Sequence, residues 1–161
     1  MTTAEPATAE PGFFIVQRPF GFTVYICACQ EHFRRVRALV QALLRGAGID
    51  EEVASDAELV ASELMGNAIR ACGDLAPLVV ETRIDTTGVW VSVHDPLSTR
   101  LPQRSETTPD DADQESGRGL WLLDTLAPGW HVRRTPIGKQ VRCHLSSTGA
   151  DRPAVHVPPQ P

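Results

Sequence analysis

Residues 63–95, ELMGNAIRACGDLAPLVVETRIDTTGVWVSVHD, change their hydrophobic period once, at Pro77. Ahead of it the apolar residues keep a helical spacing. Val53, Val60, Leu64 and Ala68 carry the stripe, Asp50 stands where an N-cap belongs, and Glu51 and Glu52 fill the first turn. Gly73 supplies the stop. Beyond Pro77 the period is two: LVVETRI, the turn Asp85-Thr86-Thr87-Gly88 and VWVSVH read as an antiparallel hairpin that Asp95-Pro96 ends.

Working outward, the segment Phe22 to Cys29, bounded by Gly21, alternates β-branched and aromatic residues with small ones and predicts a strand with Cys27 and Cys29 on one face. From Glu31, Phe33, Val36, Val40 and Leu43 recur at helical spacing until Gly46 and Gly48 end the run. Downstream, residues 96–118 hold three prolines and the acidic stretch Asp110-Asp111-Ala112-Asp113-Gln114-Glu115, which predicts a long loop. A short helix, Leu120 to Leu126, and the strands Trp130 to Arg134 and Lys139 to Leu145 follow. The order of strand, helix, helix, two strands, loop, helix and two strands predicts an α+β fold: a two-layer α/β sandwich with a mainly antiparallel sheet and helices on one face. One domain over 13–145 is expected, flanked by disordered tails at 1–12 and 146–161, the second with four prolines.

Length and composition agree with one domain: 161 residues, 42% hydrophobic, are enough to bury a core without disulfides. Fifteen Lys and Arg against twenty Asp and Glu give a net charge of -5, which offers no basic footprint for nucleic acid. No apolar run is long enough to cross a bilayer, and the N-terminus has no basic-then-apolar leader, so a cytoplasmic protein is expected. Four cysteines without CxxC spacing predict reduced structural thiols, and the five histidines show no HExxH pattern.

Three motifs can carry chemistry. Glu63, Asn67 and Arg70 stand at i, i+4 and i+7 on one helix face, where a carboxylate and a carboxamide can hold a hard cation and orient a hydroxyl; a solvated face with a Glu–Arg pair is the alternative. Gly66 within that helix costs roughly 1 kcal/mol relative to Ala, which is easier to explain where something approaches closely. Asp95, at a strand end, can accept from a ligand amino group, or simply initiate a turn before Pro96. Ser116-Gly117-Arg118-Gly119-Leu120 places glycines at a helix start, where backbone N–H groups can face a phosphate. It is neither a dinucleotide fingerprint nor a P-loop.

Taken together, Glu63-xxx-Asn67 on a helix, a hairpin ending in Asp95, a long loop and Gly117-x-Gly119 opening a helix resemble the GHKL ATPase superfamily. ELMGNAIRA and GRGLWLLDTLAPGWHV look more closely like the short actinobacterial ATP-binding regulators of the anti-sigma-factor serine-kinase type, over roughly residues 22–145. The resemblance implies ATP and Mg²⁺ as cofactors. Asn67 would coordinate Mg²⁺, Glu63 would be the base that activates a serine hydroxyl or water, and Asp95 would receive the adenine amino group. Gly117 and Gly119 would bind phosphates at the end of a lid over about 96–118, with Arg118 as charge partner and Arg70, Leu120 and Lys139 also lining the nucleotide site. It further implies a homodimer that sequesters a sigma factor and phosphorylates a STAS-fold anti-anti-sigma partner. The sequence departs from the family pattern Asp-x-Gly-x-Gly, because Asp95-Pro96-Leu97-Ser98-Thr99 has neither glycine, and Lys139 stands where many relatives have Thr. A catalytically inactive interaction module of the same fold is therefore the alternative. A detached histidine-kinase ATPase domain fits less well, since His32 opens the first helix followed by Phe33-Arg34-Arg35, outside a phosphoacceptor context.

Overall fold

The computed structural model describes residues 9–99, 101–102 and 115–147, with backbone alone for Ala9 and for 115–118. Its elements are β1 (Ala9–Glu10), β2 (Phe13–Arg18), β3 (Gly21–Cys27), α1 (Gln30–Gly46), α2 (Glu51–Cys72), β4 (Pro77–Asp85), β5 (Gly88–Asp95), α3 (Glu115–Leu126), β6 (His131–Thr135) and β7 (Gly138–Ser146). The strands form one antiparallel sheet in the order β1-β2-β3-β4-β5-β7-β6, with the helices on one face, which is the expected α+β sandwich.

The register lays a row of β-branched residues across the covered face: Ile15, Val24, Val80, Val93, Val141 and Val132 are successive cross-strand partners. Branched side chains suit the pleated surface, and four of these six, Val24, Val80, Val93 and Val141, are buried. Onto this face α2 lowers Val60, Leu64, Met65 and Ala68, and α1 lowers Phe33, Val36, Val40 and Leu44. Two residues further along β5 and two back along β7, on the same face, come Asp95 and Lys139, which are partners in register. The apolar ladder thus gives way to a charged pair at one end of the core.

Local signals account for the helix ends. The Asp50 side chain accepts from the Glu52 N–H at 3.0 Å, and Gly73 leaves α2 with φ +88°, as expected. Several expectations need correction. The strand expected over 22–29 is Gly21–Cys27; Cys29, in extended conformation, is instead the N-cap residue of α1. The sheet has seven strands where five were expected, because two are added at its start: Ala9–Glu10 and FFIVQR at 13–18, the latter pairing with β3 through a tight turn in which Phe20 takes φ +64°. Pro19 and Gly21 are ordinary turn residues, but a bulky residue such as Phe20 between them rarely adopts that conformation, so a hairpin is not the first reading of this stretch. The N-terminal tail expected over 1–12 is shortened by Ala9–Glu10, which pairs with Phe13–Phe14, while residues 1–8 lie outside the described residues. Of the C-terminal tail, Ser146 belongs to β7 and residues 148–161 lie outside the described residues. The third helix begins at Glu115, five residues before the expected Leu120, so the last residues of the expected lid are helical; positions 100 and 103–114 lie outside the described residues. Among the described residues no helix is long and apolar enough to cross a membrane, and all four cysteines are free.

Candidate functional site

A cavity of about 400 Å³ lies where α2, α3, β5 and β7 meet, a size suited to a small ligand. Leu64, Ala68, Val93, Leu120 and Val141 give it apolar walls, and Asn67, Arg70, Asp95 and Lys139 give it polar groups. Five residues singled out from sequence, Asn67, Arg70, Asp95, Leu120 and Lys139, therefore line one space.

At one end Asp95 and Lys139 form a salt bridge of 2.9 Å with both side chains 4% exposed. Such a pair balances a large desolvation cost against a strong attraction, and removing either partner alone leaves a buried charge uncompensated. Asp95 Oδ1 accepts from Lys139 Nζ, from the Leu97 N–H at 2.9 Å and from the Cys72 thiol at 3.6 Å. Lys139 Nζ also donates to the Leu97 carbonyl at 2.8 Å. Burial first, then the charge of Asp95 and the hydrogen bond to it, push the Cys72 thiol up, which keeps it a neutral donor. Gly138 makes this closeness attainable: its φ is +149°, and a Cβ there would collide with the Asp95 carbonyl oxygen. Cys72 and Leu97 were not found by sequence reasoning. The contribution of Leu97 is made by its backbone, which leaves no trace in residue type.

At the other end Glu63 and Asn67 are half-buried on α2 and Arg70 is exposed. The expected common face is present, but Arg70 donates to Asn67 Oδ1, and no Glu63–Arg70 ion pair occurs among the described residues. Gly66 gives room to this arrangement: a Cβ there would lie 3.3 Å from Arg70 Nη1, so the guanidinium is what approaches the glycine. Facing α2, Gly119 brings the α3 backbone onto Glu63; a Cβ on Gly119 would stand 2.5 Å from Glu63 Oε2 and 3.7 Å from Asn67 Oδ1. Since α3 starts at Glu115, the N–H of Gly117 falls in its first turn without a helical partner, whereas those of Arg118 and Gly119 enter the helical ladder, as the N–H of the fourth residue does in α1 and α2. The Arg118 side chain lies outside the described residues.

The arrangement can therefore accept a hydrogen bond at its buried end and place a half-buried carboxylate and a carboxamide oxygen beside a helix start at the other. No group of three His, Cys, Asp or Glu able to hold a metal occurs among the described residues, so a cation here would depend on Asn67 together with oxygens of a ligand. The family model described as Histidine kinase-like ATPase domain matches residues 26–145, from the last turn-ward residues of β3 to the penultimate residue of β7. No curated protein matches the chain.

Proposed function

The chain belongs to the histidine kinase-like ATPase domain family, and from that premise we propose that its cavity takes ATP with Mg²⁺ in an ATP-dependent regulator of the anti-sigma-factor, protein serine kinase type. Its partners in this reading are a sigma factor and a STAS-fold anti-anti-sigma protein, and it acts as a homodimer in the cytoplasm. The observation that carries the reading is the single cavity joining Asp95 to Asn67, with Glu63 held against Gly119 beside it.

The residues fit the group. Asp95 has its bonds from described residues on Oδ1, which leaves Oδ2 for the adenine amino group, and Leu64, Ala68, Leu120 and Val141 offer apolar surface to a ring. The Asn67 carbonyl, which accepts from Arg70, keeps a second lone pair for Mg²⁺. The first-turn N–H of Gly117 is disposed to hold a phosphate oxygen. When bound, Mg²⁺ would neutralise phosphate charge and align the terminal phosphoryl group. Glu63 would take the proton of the partner's serine hydroxyl as its oxygen bonds to phosphorus and ADP departs.

The test is a calorimetric titration with Mg-ATP beside Asn67→Ala, followed by phosphoryl transfer to a purified STAS-fold partner with wild type and Glu63→Ala. Magnesium-dependent binding lost in Asn67→Ala is expected, and Glu63→Ala should lower transfer by about 10²–10⁴-fold while nucleotide affinity stays within about threefold. A second reading, an interaction module without catalysis, is favoured by the Asp95–Lys139 pair and by Leu97 and Thr99 in place of the two glycines. Absence of binding up to millimolar ATP, with partner capture intact in Asn67→Ala, would replace the first reading by this one.

A further inference from the structure

Lys139 offers a donor where Asp95 offers an acceptor. An ammonium has three N–H groups. One goes to Asp95 Oδ1 and one to the Leu97 carbonyl; among the described residues the third has no partner. Asp95 is the mirror case, with three donors converging on Oδ1 and none from the described residues on Oδ2. Both residues line the same cavity, are register partners on adjacent strands, and have side chains 4% exposed. Their open valences face the cavity, so a ligand that displaces water there must supply the same partners.

The complement of an acceptor beside a donor is a planar edge carrying a donor beside an acceptor. Resting on the reading that the cavity takes ATP, we propose that Lys139 is a specificity-determining residue: it donates to N1 of the adenine ring while Asp95 Oδ2 accepts from the 6-amino group. The base is read at two adjacent points by an ion pair. Its second point, the ammonium, is held in place by the Leu97 carbonyl and by the close approach that Gly138 permits. A guanine in the same pose sets N1–H against the ammonium and a carbonyl against the carboxylate, two like-with-like contacts. Discrimination against the wrong base edge is then strong, because a site built to hydrogen-bond leaves its own buried groups unpaired when the complement is missing.

The experiment titrates the wild-type protein with Mg-ATP, Mg-GTP and the magnesium complex of 1-deaza-ATP, in which C–H replaces N1, and repeats the series on Lys139→Met. Wild type should bind 1-deaza-ATP roughly tenfold or more weakly than ATP and GTP more weakly still, whereas Lys139→Met should bind ATP and 1-deaza-ATP within about twofold of each other. Equal affinity of wild type for ATP and 1-deaza-ATP overturns the proposal and leaves the nucleotide reading standing, as does GTP binding as tightly as ATP. Failure of wild type to bind any of the three overturns both. The wild-type comparison is decisive even where Lys139→Met does not fold, since it rests on the ligands alone.

Discussion

At the Asp95 end of the cavity the polar side chains are nearly inaccessible, sit on neighbouring strands and are bonded to one another; at the Glu63 end they are half-buried or exposed and sit on helices. The first end is set by sheet register, which makes Asp95 and Lys139 backbone partners on the β5–β7 ladder. The second end is fixed by how α3 rests on α2, a contact between side chain and glycine backbone. The polar pair at the sheet end is thus set by folding itself, while the placement of Glu63, the base in the proposed reading, depends on a packing contact that can be altered separately.

The largest effect is expected at the sheet end. Asp95→Ala leaves the Lys139 ammonium buried without its carboxylate, and should cost about 3–5 kcal/mol of stability in urea unfolding, much of it recovered in the double variant Asp95→Ala/Lys139→Met. A loss below about 1 kcal/mol would show that the pair is solvated and that the contrast between the ends is false. At the helix end, Gly119→Ala meets the movable tip of Glu63 and also improves helix propensity by about 1 kcal/mol. Melting temperature should therefore hold or rise while phosphoryl transfer falls about tenfold, because the carboxylate is pushed off its position. Loss of both together would mean that the two properties are not separable here.

A carboxylate outside the cavity sharpens the contrast further. In the β4–β5 turn, burial works to raise the pKa of Asp85, but hydrogen bonds from the Thr87 hydroxyl and N–H, the Trp90 indole and the Gly88 N–H outweigh it and hold the carboxyl below its ordinary range. A depressed folded pKa means that the contribution is present above the unfolded value near 4 and disappears as pH falls through the folded value. Asp85→Ala should cost about 1 kcal/mol at pH 7, discounted for partial exposure, and the gap between variant and wild type in urea midpoint should close at acid pH. Arg70→Ala should be the mildest change, within about 0.5 kcal/mol, since its bond to Asn67 is exposed to solvent. In thiol labelling at pH 8, Cys143, whose pKa burial pushes up to about 12, should stay unreacted until the protein unfolds.

What could be read from the chain beforehand was whatever is decided locally. The helix α2 carries its cap, its stop and its stripe in sequence, and the β4–β5 hairpin carries its alternation and an Asp-Thr-Thr-Gly turn. The β2–β3 hairpin carries only part of its signal: Pro19 and Gly21 are turn residues, but Phe20 between them takes a left-handed conformation that its residue type does not announce. The early start of α3 was hidden for a related reason: two glycines lower helix propensity at 117 and 119, yet the contact of Gly119 with Glu63 needs a residue without a side chain. Of the site, the residue types on α2 and at Asp95 were legible. The meaning of Lys139 was not, since its partner comes from β5, a strand 44 residues away that only the sheet order sets beside it.

One helix touches both ends. α2 carries Glu63 toward α3 and, at its last residue, Cys72 against Asp95. Nine residues of helix rise about 13 Å, a span that neither side-chain motion nor strand slippage changes. The helix is thus a ruler: in the proposed reading, a nucleotide anchored at Asp95 would be presented to Glu63 only if its far end reached that mark, so the count of its phosphates would be measured against the length of α2.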